Sequence, residues 1–122
     1  MAGAIARSDA DEDLRRQAIE ALGEQNSEAA LNAVRDIARA SGPELLRRQA
    51  METYADKTDT RTAVAFLKSI IAGDPSERIR LEAVEILSEL DDDAGFPAIR
   101  ELAGSSNDAR VRSRAREILS EH

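Results

Sequence analysis

The sequence predicts an all-α solenoid, an α-α superhelix of about three and a half helix pairs. Three observations carry this. A nine-residue pattern recurs at residues 14–22 (LRRQAIEAL), 46–54 (LRRQAMETY), 79–87 (IRLEAVEIL) and 111–119 (VRSRAREIL), in steps of 32, 33 and 32 residues. A second apolar pattern recurs between the copies and in step with them, as Leu31-Val34-Ile37-Ala38, Val64-Leu67-Ile70-Ile71 and Phe96-Ile99-Leu102-Ala103. Polar turns separate the two patterns: Glu24-Gln25-Asn26, Asp56-Lys57-Thr58-Asp59 and Asp91-Asp92-Asp93. A fixed period of this size marks a stack of helix pairs, each of which buries its apolar face only against its neighbours.

The copies of the first pattern share an aliphatic residue, then Arg, with Ala fifth, Glu seventh and Leu or Tyr ninth. At 100° per residue, positions one, five, eight and nine share one arc. In the first copy that arc is Leu14, Ala18, Ala21 and Leu22, and in the third Ile79, Ala83, Ile86 and Leu87. The Ala column (Ala18, Ala50, Ala83, Ala115) is expected where another helix comes close. The Arg column (Arg15, Arg47, Arg80, Arg112) lies beside the arc. Its stems are expected to be partly buried and its heads to satisfy loop carbonyls or carboxylates of the neighbouring repeat. The seventh-position Glu20, Glu52, Glu85 and Glu117 point away from the arc and read as solvent-facing helix formers. Tyr54 falls in the column of Leu22 and Leu87 and reads as core.

In chain order, residues 1–8 look like the tail of a missing or abbreviated helix, because Ile5-Ala6-Arg7 matches Ile37-Ala38-Arg39 one period later. Asp9, Ser41, Asp74 and Ser106 each stand five residues before a copy and read as helix N-caps. Glu12, Glu44 and Glu77 follow three residues later, completing capping boxes in three of the four. Pro75 reads as the first helical residue. The first helices are expected at about 10–23, 42–55, 75–89 and 107–121, and the second helices, capped by Ser27, Thr60 and Asp92, at about 28–40, 61–73 and 94–104. Pro97 lacks an amide proton, so it must lie in the first turn of the last of these. The repeats are read as 9–40, 41–73 and 74–105, followed by a terminal capping helix at 106–121 within one domain. In that last helix Arg116 replaces the Ile19, Met51 and Val84 of the sixth column, as a polar outer face would require.

Composition excludes several activities. The chain has 122 residues, a net charge of −7, 2% aromatic residues, no Cys and a single His. An acidic chain lacks the basic face that phosphate binding needs, so nucleic acid is not an expected partner. No Cys excludes disulfides, thiolate catalysis and Cys-ligated metal. His122 is terminal, so no nucleophile–base pair is legible, and no Gly-rich phosphate loop is present. Asp91-Asp92-Asp93 lacks the spaced ligands of a calcium loop and reads as helix capping. No catalytic, cofactor or metal residues are assigned. Residues 1–13 lack the apolar core of a secretory signal, and no apolar run reaches membrane-spanning length. A cytoplasmic location is the expectation.

One column stands out as a candidate protein-binding site. Arg35, Lys68 and Arg100 occupy the same place in the three second helices. Stacked repeats would set them about 10 Å apart, making a basic stripe on an acidic protein that suits an acidic peptide or partner surface. Alternatively, each side chain snorkels over the core and pairs with a neighbouring Asp36 or Glu101.

The motif [LIV]-R-x-x-A-x-E-x-L at a period of about 32 residues resembles the HEAT repeats. Residues 93–102 (DAGFPAIREL), with their Pro, look most like the second-helix motif of the bacterial PBS-lyase HEAT-like subgroup. The resemblance covers nearly the whole chain. It implies a right-handed solenoid with the second helices on the concave side. It also implies a role as a non-catalytic protein-interaction scaffold, alone or as part of a larger protein. Enzymes of this architecture fit less well. A di-iron hydroxylase needs several His–Glu pairs, and the DNA glycosylases need a basic groove with aromatic residues. A bilin-lyase-like or regulatory subunit of an enzyme is the alternative. The expected partner is a protein, with the chain itself a monomer or weak homodimer.

Overall fold

A computed structural model describes residues 14, 16–21, 24, 27–40 and 42–121. Residues 16–21 are helical. They are followed by α1 (Glu28–Arg39), α2 (Glu44–Lys57), α3 (Thr60–Gly73), α4 (Glu77–Glu89), a 3-10 turn (Asp91–Asp93), α5 (Phe96–Ser105) and α6 (Ala109–Glu121). No strand occurs among the described residues.

Most of these helices start where a polar side chain supplies an acceptor to the first free amides. Ser27 accepts from the Ala30 amide at 3.0 Å, Asp59 from Thr62 at 2.7 Å and Ser76 from Ile79 at 3.2 Å. Asp108 accepts from Arg110 at 2.9 Å and from Val111 at 3.3 Å. Of the expected caps among the described residues, only Ser27 stands. Thr60 is the first residue of α3, Pro43 precedes α2 without a side-chain cap, and Ser41 and Asp9 lie outside the described residues. Ser76 replaces Asp74, and Asp108 replaces Ser106, two residues later. The first shift has a cause: Asp74 is drawn to Arg47, and its carboxylate also takes the Ser76 amide at 2.9 Å. Glu44 and Glu77 therefore open their helices instead of closing capping boxes, and Pro75 lies in the loop before α4. Asp92 is not the cap of α5. Asp92 and Asp93 turn left-handed at φ 58° and 56°, and Gly95 precedes the first residue of α5, leaving Pro97 in the first turn as expected.

The helices form two rows. α2, α4 and α6 pack directly on one another, whereas α1, α3 and α5 meet their row neighbours only marginally. In a curved stack the row in closer contact lies on the inside. The expectation that the second helices line the concave side is thus reversed: α2, α4 and α6 form the inner row, and α1, α3 and α5 the outer one. The tightest pairs join each outer helix to the inner helix that follows it: α1 with α2, α3 with α4, α5 with α6.

The core runs unbroken between the rows. Met51, Leu67, Ile79, Val84, Leu87, Ile99 and Val111 are fully buried, as are Ala50, Ala83 and Ala115 of the small-residue column. Tyr54 is core, its ring 4.6 Å from that of Phe66. The sixth column behaves as expected: Ile19, Met51 and Val84 are fully buried and Arg116 is exposed, its Nε donating to Ala103 O at 3.1 Å. The first copy departs from its expected arc. Leu14 is 62% exposed, Ala18 and Ala21 are exposed, and Leu22 lies outside the described residues. Leu46 and Ala50, the counterparts of Leu14 and Ala18, lie in the helix that packs on α1. The equivalent covering segment for Leu14 would fall before residue 9, outside the described residues.

Candidate functional site

Three sets of polar side chains recur from repeat to repeat, and they differ in how firmly they are held. The most buried is the Arg column. Arg47 is 6% exposed; its Nε donates to Ala38 O at 3.0 Å, and its Nη1 and Nη2 hold the Asp74 carboxylate, which is equally buried. Arg80 donates from Nε to Asp108 Oδ2 at 2.9 Å and from Nη1 to Asp74 O at 2.7 Å. Arg112 donates from Nη1 to Ser106 O at 2.7 Å. Arg15 lies outside the described residues. Each described arginine thus ties down a carbonyl ahead of its own helix, and Arg47 and Arg80 also hold a carboxylate of the next repeat. This is the structural role expected of the column. Its acceptors, Asp74 and Asp108, are not evident from local sequence because each sits in a stretch that suits a plain helix cap. The signal that could have found them is an acid 27 or 28 residues after each arginine.

Burial alone would raise the Asp108 carboxyl, but the Val111 amide, the Arg80 guanidinium and the Arg110 amide together hold it below the ordinary carboxylate range. A group with a depressed folded-state pKa contributes stability that is present above its unfolded value, about 3.9, and lost as pH falls through the folded one. Asp108→Asn is therefore expected to lower stability at neutral pH and to flatten its loss below about pH 4. Urea midpoints measured from pH 2 to 7 check this; an unchanged acid limb would remove Asp108 from the ladder.

The second set lies on the inner row. Arg48 pairs with Glu82 and, at 3.3 Å, with Glu52. Arg114 pairs with Glu85 and, at 3.6 Å, with Glu117. Arg110 meets Glu77 at 3.6 Å, and Gln49 Nε2 approaches Glu20 Oε1 at 3.4 Å. The hydrogen bond to Glu85 holds Arg114 above its usual pKa. Of the seventh-position glutamates, Glu20, Glu52 and Glu117 are exposed as expected and Glu85 is half-buried, and all four also serve as acceptors in this network.

The third set is the predicted stripe. The structure places Arg35, Lys68 and Arg100 on the outer row, so the stripe does not border the concave face. Arg35 Nη2 lies 3.7 Å from Asp36 Oδ1, and Lys68 Nζ lies 3.5 Å from Glu101 Oε1. Arg100 is exposed, and no ion pair to it is found among the described residues. Pairs this long and this exposed contribute about 0–1 kcal/mol, so they exchange readily for a partner's carboxylate. Beside Lys68 opens a cleft of about 600 Å³ between the C-terminal ends of α3 and α5, lined by Ile71 and Leu102 and by Asp74, Arg80, Glu101 and Asp108. Further along the outer row, Arg39 stacks 5.3 Å over the Phe66 ring and donates to Ser69 Oγ at 3.1 Å.

A second cleft, of about 420 Å³, lies between the C-terminal ends of α2 and α4 and is rimmed by Glu52, Asp56, Glu89 and Asp91. No group of His, Cys, Asp and Glu among the described residues is arranged to hold a metal ion. No helix among them is long and apolar enough to cross a membrane.

A family model described as HEAT repeats matches residues 2–69 and 33–120, which together span nearly the whole chain. No curated protein and no solved structure matches the chain.

Proposed function

The chain belongs to the HEAT-repeat family, and we propose that it is a non-catalytic protein-interaction scaffold that receives an acidic segment of a partner protein along Arg35, Lys68 and Arg100. The observation that carries this reading is the contrast between the three polar sets. The ladder and the Arg48–Glu82 and Arg114–Glu85 pairs hold neighbouring repeats together. The stripe is loosely held, and Lys68 stands at the edge of a cleft between α3 and α5. A chain without Cys suits a reducing compartment such as the cytoplasm. Residues 93–102 keep the PBS-lyase HEAT-like subgroup as the finer placement within the family.

Affinity capture from the source organism's lysate tests the reading, comparing wild type with Arg35→Glu/Lys68→Glu/Arg100→Glu at equal helicity. Wild type is expected to retain a protein that the variant loses. Charge reversal at a complementary interface costs several kcal/mol, so retention should fall at least about 100-fold. Equal retention of the same protein by both would move the interface off the stripe.

A further inference from the structure

The two joints of the outer row differ in charge. At the α3–α5 joint Lys68 reaches across to Glu101 at 3.5 Å, one cation to one acid. One repeat earlier, 33 and 32 residues before them, the same two places are held by Arg35 on α1 and Ser69 on α3. The cation is kept and the acid is not. No other residue of α3 replaces it, because that helix (TRTAVAFLKSIIAG) contains no acidic residue. Arg35 is left with Asp36 of its own helix, 3.7 Å away and beyond hydrogen-bond distance. A second cation joins it. Arg39 stands one turn after Arg35 on the same side of α1. Its counterparts in register are Ala72 and Gly104, so stacking does not require an arginine there. Arg39 is exposed, yet its head is held from α3: the guanidinium lies 5.3 Å over the Phe66 ring, and Nη2 donates to Ser69 Oγ at 3.1 Å. Ser69 Oγ in turn donates to Phe66 O at 2.6 Å. Among the described residues, Nε and Nη1 of Arg39 have no acceptor. An arginine held in this way gives up little rotamer freedom when it takes a carboxylate.

We propose that the α1–α3 joint anchors the acidic segment of the partner: Arg39, with Arg35 beside it, takes an aspartate or glutamate carboxylate in the place that Glu101 fills at the α3–α5 joint. This rests on the scaffold reading and adds to its three cations the one that discriminates. Lys68 offers a point charge that already has an acid. Arg39 offers a fixed planar fork, which binds a carboxylate on two parallel donors. Being exposed, the contact weakens as salt rises.

Fluorescence anisotropy of a labelled deca-glutamate peptide, titrated at low salt with the full chain, tests it. Wild type is expected to bind with a Kd below about 1 mM. Arg39→Lys keeps the charge but loses the fork, and should weaken binding about tenfold. Lys68→Arg, the opposite exchange on α3, should not weaken it. Ser69→Glu supplies from within the chain the carboxylate that the joint lacks. It should weaken binding by at least about tenfold and melt no earlier than wild type, which separates an occupied joint from an unfolded one. If Arg39→Lys and Ser69→Glu bind like wild type while Arg35→Glu/Lys68→Glu/Arg100→Glu does not bind, the anchor is overturned and the scaffold reading stands. A wild type that leaves the peptide free would overturn both. Tighter binding of inorganic phosphate than of the peptide would overturn the assignment to a carboxylate segment.

Discussion

Arg47→Ala is expected to destabilise the fold by about 3–5 kcal/mol, enough to remove a large part of the stability of a domain this size. The loss comes less from the missing attraction than from what is left behind. The Asp74 side chain is 7% exposed and would lose the guanidinium that binds both of its oxygens, and Ala38 O would lose its donor. The test of that cause is the pair Arg47→Met/Asp74→Leu, which removes both charges and keeps comparable volume. It should recover most of the loss, since replacing a buried pair by apolar side chains is often neutral. Equilibrium urea unfolding of the three proteins decides it. A double variant as unstable as Arg47→Ala would mean that packing, not the stranded carboxylate, sets the cost.

Gly95→Ala is expected to cost about 3 kcal/mol, the upper end of overpacking. Gly95 has an ordinary φ of −84°, so the constraint is space and not conformation. A Cβ there would stand 2.0 Å from Leu87 O and 2.7 Å from Leu87 C, both backbone atoms near the end of α4. Neither yields without moving a helix whose Leu87 is fully buried. Gly104 is the control. It lies inside α5, and an added methyl group would meet nothing within 4 Å, so Gly104→Ala should stabilise by about 0.8–1 kcal/mol. Thermal unfolding of the two variants should move in opposite directions; movement in the same direction would contradict the close approach.

Much of the architecture is legible in the sequence because a stacked array repeats its requirements. Ala50, Ala83 and Ala115, and Ile19, Met51 and Val84, recur in one column each and are buried, whereas Ala18 of the first copy and Arg116 of the last are exposed. The arginines of the second column have to serve neighbouring loops, and the described ones, Arg47, Arg80 and Arg112, do. Which row lies inside is not legible, since both rows carry amphipathic helices at one period and only the packing of α2 on α4 and α4 on α6 breaks the tie. Cap positions fail for a related reason. Asp74 is a good local cap by residue type, but a buried guanidinium 27 residues away competes for it, and Ser76 takes over the helix start. Leu14 belongs to the core by the periodicity of its own helix, yet its burial depends on a covering helix one step earlier in the array. The stripe is visible as a column, but its neutralising acids are neighbours whose side-chain directions the spacing does not fix.

The most direct test of the scaffold reading is the footprint of the captured partner, measured by amide hydrogen exchange on the wild-type chain with and without it. Slowed exchange is predicted along the outer row, in α1, α3 and α5 around Arg35, Lys68 and Arg100, with the inner row unchanged. Protection confined to α2, α4 and α6 would place the partner on the concave face and contradict the assignment.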